Sequence, residues 1–295
     1  MQVPYFSIIL PTFNRAPLLP RAIDSVLRQD FPDWELLVID DGSTDDTQRL
    51  LKEYASEGRL RVIQQENRQL NGARNRGITE MRGEYGCFLD DDDEFLDGHL
   101  AKLRRGIDDD GRAHDLYRSG EILQRGAQRI FGHNYQNGTD ILPQYWKHST
   151  GLFGTAIPRH ILRENPFNER HLLLDDFVWL NRVLSKHSLY QLPGHSVLVH
   201  QHPRQRSNTY LDESLLHKNL DQLRRAYGQP GVANRVPKAH YQSQVVHQYL
   251  HFCRKLIRER KLSLAGKMWW QGVRRAGRND LKDVVKTGIK LLIRG

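Results

Sequence analysis

Four consecutive carboxylates, Asp90 to Asp93, follow the apolar run Tyr85-Gly-Cys-Phe-Leu89. An apolar strand that ends in clustered acids brings negative charge to the carboxyl edge of a sheet, where open α/β sheets bind their ligands. Like charges this close repel unless a cation sits among them. Hard divalent cations such as Mn²⁺ or Mg²⁺ take carboxylate oxygens and share their remaining positions with substrate phosphates. The run therefore reads as a metal-diphosphate site, and its ordinary alternative is a solvated acidic turn.

The elements around the acids decide between these readings. Tyr5 to Leu10 is an apolar strand, and Leu18 to Gln29 carries Leu19, Ala22, Ile23, Val26 and Leu27 at helical spacing. Glu35 to Ile39 is a second strand, and Thr44 to Tyr54 a helix with Ser43 or Thr44 as N-cap. Leu60 to Ile63, Leu70 to Met81 and Tyr85 to Leu89 continue the alternation as strand, helix and strand. Such alternation with continuous apolar strands predicts a mostly parallel sheet covered by helices on both faces. Beyond about residue 110 the rhythm shortens. Leu116 to Leu123 and Gln128 to His133 read as a hairpin, Asp140 to Lys147 and Leu172 to Lys186 as helices, and Ser196 to His200 as a strand. From Tyr210 the pattern is helical, with segments at Tyr241 to Arg260, Leu264 to Arg275 and Leu281 to Arg294.

Loops after consecutive parallel strands converge on one edge, so residues far apart in sequence share a crevice. Here those loops are Pro11-Thr-Phe-Asn-Arg15, Asp40-Asp-Gly-Ser-Thr-Asp45 and the acid run, joined by Asn71-Gly-Ala-Arg-Asn-Arg76 in the third helix. Each has a plain alternative. Pro and Asn suit turns, Asp and Ser suit helix caps, and arginines are commonly solvated. Asp175-Asp176 opens an amphipathic segment, where acids also serve simply to complement the helix dipole.

The ordered set Ser7-Ile-Ile-Leu-Pro-Thr-Phe-Asn-Arg15, Val38-Ile-Asp-Asp-Gly-Ser-Thr-Asp45, Gly72-Ala-Arg-Asn-Arg-Gly-Ile78 and Phe88-Leu-Asp-Asp-Asp-Asp93 strongly resembles the family 2 glycosyltransferases with the GT-A fold. The resemblance covers roughly residues 5 to 205 and is strongest before residue 100. It implies an inverting enzyme that moves a sugar from a nucleoside-diphosphate sugar, a UDP-sugar favoured, to a hydroxyl of a glycan or lipid-linked glycan. By that resemblance Thr12 and Asp41 contact the nucleotide base, Pro11 and Asn14 shape the loop, and Arg74 lies near the sugar-nucleotide. Asp90 and Asp92 match the outer acids of the Asp-x-Asp element, Asp92 holding Mn²⁺ or Mg²⁺, Asp90 on the donor side and Asp91 between them. An Asp91/Asp93 register fits the bare pattern as well. Asp176 is the expected general base, and His202 rather than His200 the expected histidine near metal and diphosphate. The stretch Arg204-Gln-Arg-Ser207 departs from the family's usual Gly and Ser spacing.

Composition bounds the rest. At 295 residues, with 38% apolar content, the chain buries a substantial core. No apolar run approaches the ~20 residues needed to span a bilayer, and no basic leader precedes the first strand, so a cytoplasmic protein is expected. Cys87 and Cys253 form no disulfide or metal framework. The net charge of +9 is concentrated in the tail. From His251 onward thirteen Lys and Arg oppose only Glu259, Asp280 and Asp283, a net +10 that leaves the preceding residues near −1. Apolar residues such as Leu256, Ile257, Met268, Trp269 and Trp270 interleave with that charge. Peripheral contact with the inner face of a membrane and packing on the catalytic domain are both open for such a segment.

The expected organisation is a nucleotide-sugar-binding α/β half at 1–110, an acceptor-binding and catalytic half of the same domain at 111–209, and a basic helical C-terminal extension at 210–295. A nucleic-acid-binding protein built on the tail would leave the four polar loops unexplained and lacks a helix-turn-helix or zinc pattern. A nucleotidyltransferase would carry a Gly-rich phosphate loop after the first strand, where Pro11-Thr-Phe-Asn-Arg15 stands. A non-catalytic sugar-nucleotide-binding module is the remaining alternative, and the presence of both Asp92 and Asp176 argues against it.

Overall fold

The computed structural model describes residues 3–170, 174–201 and 213–294. The first part of the chain runs β1 (Phe6–Thr12), α1 (Leu19–Leu27), β2 (Trp34–Asp40), α2 (Thr47–Glu53), β3 (Leu60–Gln64), α3 (Gln69–Glu80) and β4 (Tyr85–Phe88). It continues through β5 (Glu94–Phe95), α4 (His99–Asp109), β6 (Leu116–Arg125), β7 (Gln128–Phe131), α5 (Ile141–Lys147), β8 (Thr155–Pro158), α6 (Arg159–Glu164), α7 (Asp175–Leu184) and β9 (Leu189–His200). Four helices follow: α8 (Glu213–Tyr227), α9 (Lys238–Arg258), α10 (Leu262–Val273) and α11 (Leu281–Arg294).

The strands form one sheet in the order β3-β2-β1-β4-β8-β6-β9-β5, with β7 paired to β6. β3, β2, β1 and β4 are parallel, as strand-helix alternation predicts. β8 then runs antiparallel to both β4 and β6, and β9 is parallel to β6. Every residue of β1 and β2 is buried, which is the consequence of covering a parallel sheet on both faces. α1 supplies one cover through Leu19, Ala22, Ile23 and Val26. α3 approaches β1 so closely that a Cβ on Gly77 would lie 2.4 Å from Ile9 Cγ2. The hairpin expected after residue 110 is β6 and β7, turned at Gly126 with φ +55°.

One helix start differs from the sequence expectation. α2 begins at Thr47 rather than Thr44, and neither Ser43 nor Thr44 caps it. Both side chains are engaged elsewhere: Ser43 Oγ accepts from the Asn14 amide at 2.9 Å, and Thr44 Oγ1 donates to Asn14 Oδ1 at 3.4 Å. These groups bind the neighbouring loops and are no longer available to the helix end.

The chain divides into two compact units, Met1–Ile141 with Thr150–Pro203, and Leu142–Ser149 with Arg204–Gly295. In the second, Trp146 meets Tyr227 edge-on at 5.7 Å, and Gln244 Nε2 donates to the Trp146 carbonyl at 2.8 Å. Its core gathers Leu216, Tyr249, Phe252, Cys253, Leu256 and Met268. Among the described residues no helix is long and apolar enough to cross a membrane.

Candidate active site

The ends of β1 and β2 lie side by side, so their loops meet. Asn14, in the left-handed region at φ +53°, presents Oδ1 to the Thr44 and Asp45 amides at 2.7 and 3.3 Å. Its own amide donates to Ser43 Oγ at 2.9 Å, which closes a reciprocal clamp between the two loops. Pro11 is the penultimate residue of β1, paired with Ile39. Asp41 is buried and its Oδ1 accepts from Gln65 Nε2 at 2.7 Å and the Arg68 amide at 2.8 Å. Burial raises its carboxyl pKa above the ordinary value, and the two donors pull it back only in part.

The acid run is a tight turn between β4 and β5, closed by the Asp93 amide donating to the Asp90 carbonyl at 3.1 Å. Asp90, Asp92 and Asp93 each bring one carboxylate oxygen to a common place, all within 4.8 Å of one another. Asp91 is not among them. Its Oδ2 accepts from Thr12 Oγ1 at 2.8 Å, with Arg15 Nε 4.0 Å from Oδ1. Burial pushes the Asp91 carboxyl up to about 7 against the pull of Thr12. The Asp93 carboxyl is raised well above its ordinary value, first by burial and then by the charges of Asp90 and Asp92.

The turn is braced from behind. Arg21 Nη2 donates to the Asp92 carbonyl at 2.5 Å, and its Nε lies 3.4 Å from Glu94. The His200 amide donates to Asp93 Oδ1 at 2.9 Å, while its Nε2 pairs with Glu94 Oε1 at 2.6 Å. The His200 contacts follow from the antiparallel pairing of β5 with β9, which sets Glu94 opposite Leu198, while Arg21 reaches the turn from α1.

Arg74 joins the acids to the second half of the sheet unit. Only 1% of its side chain is exposed. Nη1 donates to Asp176 Oδ1 at 2.6 Å, and Nη2 reaches Asp90 Oδ1 at 3.4 Å. Its guanidinium lies over Phe88 and Phe167, 5.7 and 5.3 Å from the ring centres. Burial works against the charged form, but Asp176 and Asp90 outweigh it, and the Arg74 pKa is raised. Asp176 stands in the first turn of α7. That helix is seated by Trp179, which stacks on Phe167 at 5.1 Å and donates to the Asn165 carbonyl at 2.5 Å.

Asp41, Asn14, Thr12 and Asp91 thus form one contiguous polar edge, and Asp90, Arg74 and Asp176 a second, joined at the acid turn. His202 lies outside the described residues. Asp93, Arg21, Glu94 and His200 take part without having been assigned a role from the sequence. Asp93 had a signal as the alternative register; the other three depend on contacts that no local pattern announces. The trio contains the outer acids of the first register together with Asp93 of the second. An all-oxygen set of three clustered carboxylates fits a hard divalent cation.

The comparisons bear on the family and the fold. Residues 7–172 match the family described as Glycosyl transferase family 2. The chain is 32% identical over 186 residues to the GalNAc(5)-diNAcBac-PP-undecaprenol beta-1,3-glucosyltransferase of Campylobacter jejuni subsp. jejuni serotype O:2, covering 61% of this chain. That alignment spans 60% of the relative's own length. In structure the chain is similar to S. aureus TarS 1-349 in complex with UDP-GlcNAc, with TM-score 0.66 and 17% identity over 96% of this chain and 79% of that one. It is also similar to the mannosyltransferase PcManGT from Pyrobaculum calidifontis in complex with GDP-Man and Mn2+, with TM-score 0.61 and 17% identity over 98% and 81%. At such identities the structural likeness establishes the fold, and the matched span of sequence contains all four polar loops. The chain belongs to the family 2 glycosyltransferases, enzymes of glycosyl transfer, and has the GT-A fold.

Proposed function

We propose that the protein is an inverting glycosyltransferase that moves a sugar from a nucleoside-diphosphate sugar to a hydroxyl of a glycan or lipid-linked glycan. One observation carries this reading. A buried arginine, Arg74, links the acid trio through Asp90 to Asp176, so that a donor-diphosphate end and a proton acceptor share one rigid cation. Thr12 and Asp41 receive the base, with Pro11 and Asn14 holding the loop that shapes its pocket. Asp91, bonded to Thr12, belongs to the donor side together with Asp90.

Asp92, with Asp90 and Asp93 beside it, would hold Mn²⁺ or Mg²⁺, whose contribution is to offset charge on the departing nucleoside diphosphate. Asp176 accepts the proton of the acceptor hydroxyl. The freed oxygen attacks the anomeric carbon from the face opposite the diphosphate, a new C–O bond forms as the old one breaks, and configuration inverts. Arg74 orients Asp176 through its Oδ1. The donor half is 1–110, the acceptor half 111–209, and the helical extension 210–295.

A UDP-sugar is the favoured donor because TarS is described with UDP-GlcNAc, while the GDP-Man of PcManGT keeps a purine donor as the second reading. The undecaprenol named for the Campylobacter relative supports a lipid-linked acceptor. The test measures nucleoside-diphosphate release from a panel of UDP- and GDP-sugars with glycan and lipid-linked acceptors. Asp176→Asn is expected to bind the same donor and to release at least about a hundredfold less diphosphate. Release at the wild-type rate removes Asp176 as the base.

A further inference from the structure

In the helical unit Leu256, Ile257 and Met268 of α9 and α10 are buried, and Trp270 of α10 stands alone as an exposed large apolar residue of those two helices, at 55%. α11 is different. One side is fixed to the unit: Val284 is buried, Trp269 Nε1 donates to the Val284 carbonyl at 3.0 Å, and Arg254 Nη1 donates to Thr287 Oγ1 at 3.3 Å. Gly288 lets the Trp269 indole lie close, since a Cβ there would stand 3.0 Å from its ring. The other side carries Leu281, Val285, Ile289, Leu292 and Ile293, exposed by 55%, 56%, 51%, 82% and 78%. At about 100° per residue these five fall within an arc of roughly 120°, so they form one continuous apolar stripe. Lys282, Lys286 and Lys290, all exposed, follow at four-residue intervals, Lys282 inside the edge of that arc at its N-terminal end and Lys286 and Lys290 about 20° and 60° beyond it.

We propose that this face of α11 lies in the surface of an anionic bilayer, with the apolar stripe at the acyl boundary and the three lysines at the level of the lipid phosphates. The geometry is that of a helix lying in the interface plane. At 14 residues α11 is too short to cross the ~20-residue hydrocarbon thickness. Charge complementarity selects this occupant. The surrounding tail is strongly basic, and a two-fold pairing of the stripe with itself would bring one lysine row towards another. The proposal does not depend on the donor chemistry above.

The test is co-sedimentation of the full chain with vesicles of phosphatidylcholine containing about one third phosphatidylglycerol, against phosphatidylcholine alone. Binding is expected to the anionic vesicles and to fall as salt is raised. Ile289→Glu with Leu292→Glu is expected to abolish it. Replacing Lys282, Lys286 and Lys290 by Gln is expected to weaken it on the order of a hundredfold, since each near-surface lysine contributes about fivefold. All five positions are exposed, so circular dichroism and melting are expected to stay at wild-type values. A dye attached at Leu292→Cys, selective because Cys87 and Cys253 are buried, is expected to shift to the blue on anionic vesicles. Wild-type protein left in the supernatant, equal binding to both vesicle types, or full binding by the double glutamate variant would each overturn the proposal. So would a dimer in lipid-free buffer that Ile289→Glu dissociates, which assigns the face to a second copy.

Discussion

Replacing Arg74 by methionine keeps most of the volume of the side chain and removes its charge. Two carboxylates then lose their shared cation, and two aromatic faces lose theirs. Removing one partner of a buried ion pair costs about 3–5 kcal/mol. Asp176 and Asp90, at 26% and 27% exposed, retain access to water and bring the figure to the lower end. The contacts over Phe88 and Phe167 add about 0.5–1 kcal/mol together, and the retained volume keeps the cavity term small. Arg74→Met is therefore expected to cost about 3 kcal/mol in urea unfolding followed by circular dichroism at neutral pH. If the cost comes from the carboxylate that loses this cation, it falls in an Asp176→Asn background, giving a coupling of about 1–2 kcal/mol in the double-mutant cycle. A loss below about 1 kcal/mol, or additivity within about 0.5 kcal/mol, refutes Arg74 as the cation that binds these two elements.

Two further substitutions probe the frame behind the site. His99 is fully buried beside Ser196, and burial depresses its pKa to about 3. Below about pH 6.5 the unfolded chain takes up a proton that the folded chain refuses, so stability is full above that pH and falls by about 1.4 kcal/mol per unit as pH drops towards 3. His99→Gln is expected to lose about 2 kcal/mol less than wild type between pH 6.5 and 5, and equal slopes in urea titrations would contradict this. Gly77→Ala is expected to cost about 1–3 kcal/mol through its clash with Ile9, whereas Gly58→Ala, with open space around it, is expected to stay within about 0.5 kcal/mol. Melting curves of the pair decide it, and similar values for both would refute the close approach of α3 to β1.

The polar edge was legible because its signals are local. Strand period, turn residues and the order of the loops locate Thr12, Asn14, Asp41 and Asp90 to Asp92 on one side of a parallel sheet, and β1 to β4 follow the sequence expectation to within a few residues. The bracing of the acid turn was not legible. Glu94 meets His200 only because the two-residue strand β5 pairs with a strand a hundred residues later, and such a short strand carries no period of its own. The late start of α2 has the same origin, since Ser43 and Thr44 look like caps until Asn14 is brought against them. β8 and α4 went unassigned, although Leu100, Leu103 and Ile107 recur at helical spacing. In the tail, amphipathic sequence marks a face to be covered without saying what covers it. Packing against neighbouring helices claims most of the apolar face of α9 and α10, with Trp270 left exposed, and leaves the outer stripe of α11 bare.

The most direct test of the acid turn is calorimetric titration of UDP into the wild-type protein and into Asp92→Asn, each with Mn²⁺ and with EDTA. Wild-type affinity is expected to fall at least about tenfold when the metal is removed, and Asp92→Asn to bind in Mn²⁺ as weakly as the wild type does in EDTA. Equal affinity with and without metal, or an undiminished response to Mn²⁺ in Asp92→Asn, would contradict the assignment of Asp90, Asp92 and Asp93 as a metal-diphosphate site.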